Sequence, residues 1–129
     1  MQNLSPSFKE GRYFDLWMLV HLLCGVTGGF SNVLFGLTER NVFLVGIGMM
    51  LLWELGEHAV GIRESLENRT LDIVVGLAGV FVALRIAARI DPVSEHWALA
   101  VSAFLFGLGS LLGWIAHRRR RRVSPAGPA

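Results

Sequence analysis

Four long apolar runs, residues 16–37, 42–62, 71–84 and 97–116, limit what this chain can fold into. An α-helix needs about 20 mostly apolar residues to cross a hydrocarbon core of roughly 30 Å. Runs one, two and four reach that length directly. The third reaches it when extended towards Ile90, with Arg85 and Arg89 bending back to the far interface on their aliphatic stems. A soluble bundle would need a polar stripe on every helix, and the fourth run has almost none. Hydrophobic residues make up 53% of the chain and its mean hydropathy is +0.51, both too high for an ordinary soluble domain. The expected fold is all-α: four transmembrane helices in an up-down-up-down bundle over 16–117. An N-terminal tail, 1–15, precedes it and a basic, disordered tail, 118–129, follows.

The first run is longer than the apolar core of a signal peptide and lacks a small-residue cleavage site. Cys24 is the only cysteine, so no intrachain disulfide forms, and it reads as a small packing residue. Nine of the twelve basic residues fall in the two tails and the second connection; three fall in the first connection and in the third helix with the loop after it. The positive-inside rule then places both termini and the second connection in the cytoplasm, and the preference for arginine, eleven of the twelve basic residues, hints at a GC-rich bacterial genome and hence a bacterial inner membrane. Arg118 to Arg122 follow a membrane helix directly, so they read as a stop signal meeting anionic headgroups, not as a nucleic-acid patch.

The connections are short. Thr38-Glu39-Arg40-Asn41 joins the first two helices, and Arg63 to Thr70 joins the next two. Asp91 caps the fourth element and Pro92 occupies its first turn. Gly25-x-x-x-Gly29, Gly76-x-x-Gly79 and Gly109-x-x-x-Gly113 have the small-residue spacing that lets membrane helices approach closely. Trp17, Trp53, Trp97 and Trp114 form an aromatic belt, with Trp53 deeper than the others.

Within the second run, Leu51 to His58 places Glu54, Glu57 and His58 on one helical face. Glu54 lies about 18 Å along the axis from Val42, roughly 12 Å from the cytoplasmic edge of the core. A charge at such depth costs on the order of 2.5–3.5 kcal/mol, so this face turns into the bundle. His21 on the first helix and Asp72 at the start of the third come to a similar depth. Asp72 also suits a first-turn position on the helix dipole, behind a Thr70 cap. Arg63, Asn68 and Arg69 stand just above, where the arginines can bind a phosphate. Arg63 with Glu67 is also a plain i, i+4 surface pair. Ser31, Asn32 and Ser110 are assigned to the opposite half.

Trp53-Glu54-x-x-Glu57, a polar connection with Asn68, and Leu71-Asp72-x-x-x-Gly76-x-x-Gly79 resemble the VanZ-like and YjdF-like small bacterial membrane proteins. His21 on the preceding helix fits the same layout. The resemblance covers roughly residues 15 to 85. VanZ-like members often have Gln at the position of Glu57, and YjdF-like members are usually longer. It implies that His21, Glu54 and Asp72 act as a set, but it supplies no reaction.

Three functions compete. The first is an enzyme or binding protein for an envelope lipid or lipid-linked headgroup, with Glu54 as general base, His21 as acid or orienting partner, and Glu57 and Asp72 beside them. His58, Arg63, Asn68 and Arg69 would then hold the substrate. A divalent metal on His21, Glu54, His58 and Asp72 is a variant of it; no cofactor is otherwise called for. The second is a small transporter or proton relay, which at this length implies a homo-oligomer or larger membrane complex. The third is an accessory subunit whose cluster fixes helix register. Membrane lipids are the expected partners, and no nucleic-acid or nucleotide motif is present.

Overall fold

The structure, a computed structural model, describes residues 16–59, 61 and 65–123. Helix α1 spans Leu16–Phe30, α2 Asn32–Phe35, α3 Glu39–Ala59, α4 Leu66–Ala87 and α5 Pro92–Val123. With α1 and α2 counted as one span, four helices are long and apolar enough to cross a membrane. No strand occurs among the described residues. The surface is inverted relative to a soluble bundle. Leu52, Leu66, Phe104 and Trp97 are exposed, while His21, Glu54, Glu57, Asn68 and Asp72 are buried. Apolar side chains outside and polar ones inside is the arrangement a hydrocarbon solvent selects.

Helix ends follow local chemistry. The first span pauses at Ser31, whose hydroxyl donates to the Gly28 carbonyl. It stops at Gly36, which takes the left-handed conformation at φ 60° that L side chains rarely adopt. Asn32 closes this turn by accepting from Leu37 N–H at 2.7 Å and donating to its carbonyl. Helix α3 then begins at Glu39, so Glu39 to Asn41, expected in the connection, form its first turn.

Helix α4 begins at Leu66, five residues before the expected start of the apolar run. The cause is Ser65: its hydroxyl accepts from Asn68 N–H at 3.2 Å and caps the helix. Thr70, expected as the cap, instead donates to the Leu66 carbonyl inside the helix. Asp91 caps α5 as expected, accepting from the Val93 and Ser94 amides and the Ser94 hydroxyl. The Ser94 hydroxyl, then its amide, hold the exposed Asp91 carboxyl below the usual carboxylate range. The cap therefore operates above the ordinary aspartate pKa and is lost only as pH falls through the lowered value. Helix α5 continues to Val123, so the first part of the expected disordered tail is helical. Arg118 lies 3.5 Å over the exposed Trp114 ring, a cation–π contact.

The most intimate pair is α1 with α4, the first and third spans. Gly25 packs against Gly76 and Val80, Gly29 against Val80 and Ala83, so residue numbers rise together and the two helices run parallel. On α3 the order reverses: Gly46 faces Val80, whereas Met50 lies against Gly76. Helix α5 also runs against α1, with Gly109 at Val20 and Gly113 at Trp17. Helices α3 and α5 thus flank a parallel central pair, and the closest neighbours are not consecutive in sequence. At the end away from the polar cluster, Arg85 donates to both oxygens of Glu39 at 2.8 and 3.1 Å and lies over Phe81. Both partners are more than half exposed, as an interfacial pair would be.

A Cβ at Gly25 would collide with the Gly76 carbonyl, and the backbones would have to separate. A Cβ at Gly28, on the same helix, meets nothing within 4 Å. Gly25→Ala is therefore expected to destabilise the protein by on the order of 1–3 kcal/mol, while Gly28→Ala is neutral or mildly stabilising. Unfolding in detergent, followed by circular dichroism, measures both; equal behaviour would remove the central role given to the α1–α4 seam.

Candidate functional site

The site is built by the seam. Gly76 lets α4 approach α1 and α3 closely enough that His21 and Asp72 share one level, and α3 brings Glu54 to the same place. One donor atom from each of His21, Glu54 and Asp72 lies within 4.8 Å of the others. His21 and Asp72 are each 1% exposed and Glu54 6%. Glu54 is five residues from the end of α3, about 7.5 Å along the axis. That is too far for a short carboxylate to reach bulk water by itself.

His21 is fixed through Nδ1 and presents Nε2 to the cluster. Nδ1 lies 2.8 Å from the Trp17 carbonyl, which only accepts, so Nδ1 carries the proton and donates. Nε2 faces Glu54 Oε1 at 3.4 Å and has no hydrogen-bond partner. Trp53 meets the imidazole edge-on, with ring centroids 6.0 Å apart. Asp72 Oδ2 lies 4.0 Å from His21 Nδ1 and accepts from Asn68 Nδ2 at 3.4 Å. Arg69 Nε lies 2.9 Å from Glu54 Oε2, an ion pair whose N–H is not aligned as a hydrogen bond. Arg69 thus holds one carboxylate oxygen and the other faces His21.

These contacts revise several expectations. Asp72 is not a first-turn residue on the helix dipole; the earlier start of α4 carries it into the bundle. Asn68 and Arg69 lie in the first turn of α4 and support the cluster from within. Glu57 is buried but turned aside, accepting from Trp53 Nε1 at 2.9 Å. His58 is exposed and does not join the cluster. Arg63 lies outside the described residues. Two contributors were not visible in the sequence: the Trp17 carbonyl and the pairing of Arg69 with Glu54. A backbone carbonyl has no side-chain signature, and Arg69 reads equally well as a headgroup ligand.

Two cavities flank the cluster. The larger, about 690 Å³, lies between α3 and α5 and is lined by Trp17, Leu52, Trp53, Glu57, Ser110 and Trp114, among others. It is an apolar cleft with a carboxylate in its wall. Ser110, assigned to the opposite half, lines this cleft because α5 starts at Pro92 and has already passed its midpoint there. The smaller, about 340 Å³, is lined by Cys24, Thr27, Ser31, Asn32 and Met50, among others, and extends towards the opposite end. Met50, 1% exposed and one turn beyond Glu54, packs against Gly76 between that cavity and the cluster.

No family model, curated protein or solved structure matches the chain.

Coupling between Glu54 and Arg69 can be measured. Arg69→Met is expected to cost on the order of 1–3 kcal/mol, because it removes the cation from a buried carboxylate. Adding Glu54→Gln should recover part of that loss, with a coupling energy of roughly 0.5–3 kcal/mol in a double-mutant cycle. A cycle that closes at zero would separate the two residues.

Proposed function

We propose that this protein binds, and acts on, an envelope lipid or lipid-linked headgroup at the His21, Glu54 and Asp72 cluster. The observation that carries this reading is the cleft between α3 and α5. Its walls are apolar, as an acyl or prenyl chain requires, and its inner wall holds Glu57 and Trp53, which borders the cluster. A ligand whose tail lies among Leu52, Leu111 and Trp114 would bring its polar end to Glu57 and, past Trp53, to Glu54 and His21. His21 Nε2 is the nitrogen able to take a proton there, since Nδ1–H is committed to the Trp17 carbonyl. Trp53 and the buried setting limit water at that proton, a condition for general acid–base work on a lipid headgroup.

The motif of Glu54, Glu57, Asn68, Asp72 and Gly76 supports placing the chain with the VanZ-like or YjdF-like bacterial membrane proteins. The excess of arginine beside the cluster end supports a bacterial inner membrane with both termini cytoplasmic. A proton relay across the membrane is the weaker reading. Its path from His21 towards the opposite end would run through Met50 and Val80, both buried and apolar.

The test is a whole-lipid profile of a strain lacking the protein, complemented with wild type, Glu54→Gln or Gly56→Leu at equal membrane abundance. Gly56 lines the cleft and a Cβ there meets nothing, so leucine fills the cleft without disturbing the bundle. Wild type should clear a lipid species that accumulates in the deletion strain, and both variants should fail to. A profile that never changes on deletion would defeat the lipid reading.

A further inference from the structure

We infer that His21, Glu54 and Asp72 form a binding site for a divalent transition-metal ion of the zinc class. The argument starts at His21, which is 1% exposed. Its Nδ1–H donates to the Trp17 carbonyl at 2.8 Å, so in the neutral ring the Nε2 lone pair points into the cluster. Metal-ligating histidines are held in this way: the second ring nitrogen donates to a carbonyl or carboxylate, fixing ring and tautomer. The lone pair faces Glu54 Oε1 and lacks a hydrogen-bond partner. A buried imidazole lone pair without a partner is costly, and a proton or a cation placed between it and the carboxylate would satisfy it.

The spacing favours the cation. A charge-assisted N–H···O bond brings its heavy atoms to about 2.7–2.9 Å. Here Nε2 and Oε1 stand 3.4 Å apart. Zinc bonds to histidine nitrogen and carboxylate oxygen at about 2.0–2.2 Å, so two donors on a tetrahedral ion lie roughly 3.3–3.5 Å apart. The observed separation is that of a tetrahedral edge. Six-coordinate ions such as magnesium set adjacent donors closer, about 3.0 Å, and prefer oxygen.

The third ligand is Asp72: one donor atom from each of the three residues lies within 4.8 Å of the others, and Asp72 Oδ2 stands 4.0 Å from His21 Nδ1, so its carboxylate swings towards Nε2 on binding. Its orientation is set by Asn68 Nδ2 at 3.4 Å. Arg69 occupies the other oxygen of Glu54 at 2.9 Å and leaves Oε1 directed at His21. Its positive charge weakens the attraction for a cation while holding the Glu54 side chain in place. Three protein ligands from three helices leave a fourth position, the pattern of a catalytic zinc site. The set differs from the sequence expectation by one residue: His58, at i+4 from Glu54, is exposed on α3 and contributes nothing.

This inference does not depend on the lipid reading, because its test measures metal and not activity. Tag-free full-length protein in detergent is loaded with zinc chloride, dialysed against metal-free buffer and assayed for metal and chain. Wild type should retain roughly one zinc per chain, and Co²⁺ in its place should give the intense visible bands of a four-coordinate ion. His21→Gln should abolish retention. Glu54→Gln and Asp72→Asn should weaken it by at least tenfold, and Asn68→Ala, which removes the amide's bond to Asp72, by about 10–100-fold. His96→Gln, an exposed histidine near the opposite end, should bind as wild type. Helical circular dichroism and a monodisperse elution profile select the variants that fold. Wild type without zinc and without a cobalt spectrum overturns the site, as does zinc that survives in folded His21→Gln. Either result leaves a proton between His21 and Glu54 and the lipid reading intact; a metal-loaded protein with an unchanged lipid profile does the reverse.

Discussion

The contact between the backbones of α1 and α4 is the constraint on which the rest depends. Gly25 and Gly76 meet with no room for a methyl group, and Gly79 lies against the backbone of Leu22, Gly25 and Val26. In hydrocarbon no hydrophobic force gathers helices, so close packing of small residues has to supply the association. The same approach decides where the polar groups fall. His21 lies one turn from Gly25 and Asp72 one turn from Gly76, so a seam with two meeting glycines carries two meeting polar side chains at its next turn. The site is a consequence of the packing and not an addition to it.

Burying that set in a membrane has to be compensated internally, and the helices divide the work. Helix α1 provides both His21 and the carbonyl that fixes its tautomer. Helix α4 provides Asp72, the amide that orients it, and the guanidinium beside Glu54. Helix α3 provides two carboxylates facing different ways, Glu54 into the cluster and Glu57 to Trp53 and the cleft. Each first contact is therefore backed by a second, the condition under which polar residues in apolar surroundings hold a defined geometry.

The four spans, the glycine seam and the common depth of His21, Glu54 and Asp72 were legible in the sequence, because length, small-residue spacing and depth follow from helix geometry alone. The side on which His58 falls was not. The buried residues of α3 are Val42, Gly46, Met50, Glu54 and Glu57. Each step of four advances about 40° beyond a full turn, and three such steps carry the stripe towards the lipid. A step of three brings it back, which selects Glu57 and leaves His58 outside. Which step is shortened depends on the neighbouring helix, and that information lies elsewhere in the chain. The start of α4 was hidden for a different reason: Ser65, Asn68 and Thr70 are all able to cap, and only packing chooses among them. The pairing order was also hidden, since short connections indicate opposed directions but not which helices touch most closely.

Trp53 joins these elements into one arrangement. Its ring meets His21 edge-on, its N–H is held by Glu57, and its other side approaches Phe106 at 5.7 Å between centroids. It therefore stands between the apolar cleft and the buried polar set. A wall of this kind has two functions at once. It covers an edge of His21, and electrostatic contacts strengthen where a side chain displaces water. It also makes the only polar atom of its own side chain, the indole N–H, dependent on a carboxylate that lines the cleft. The buried His21 and the cleft are thereby separated by one side chain, whose hydrogen bond belongs to the cleft wall.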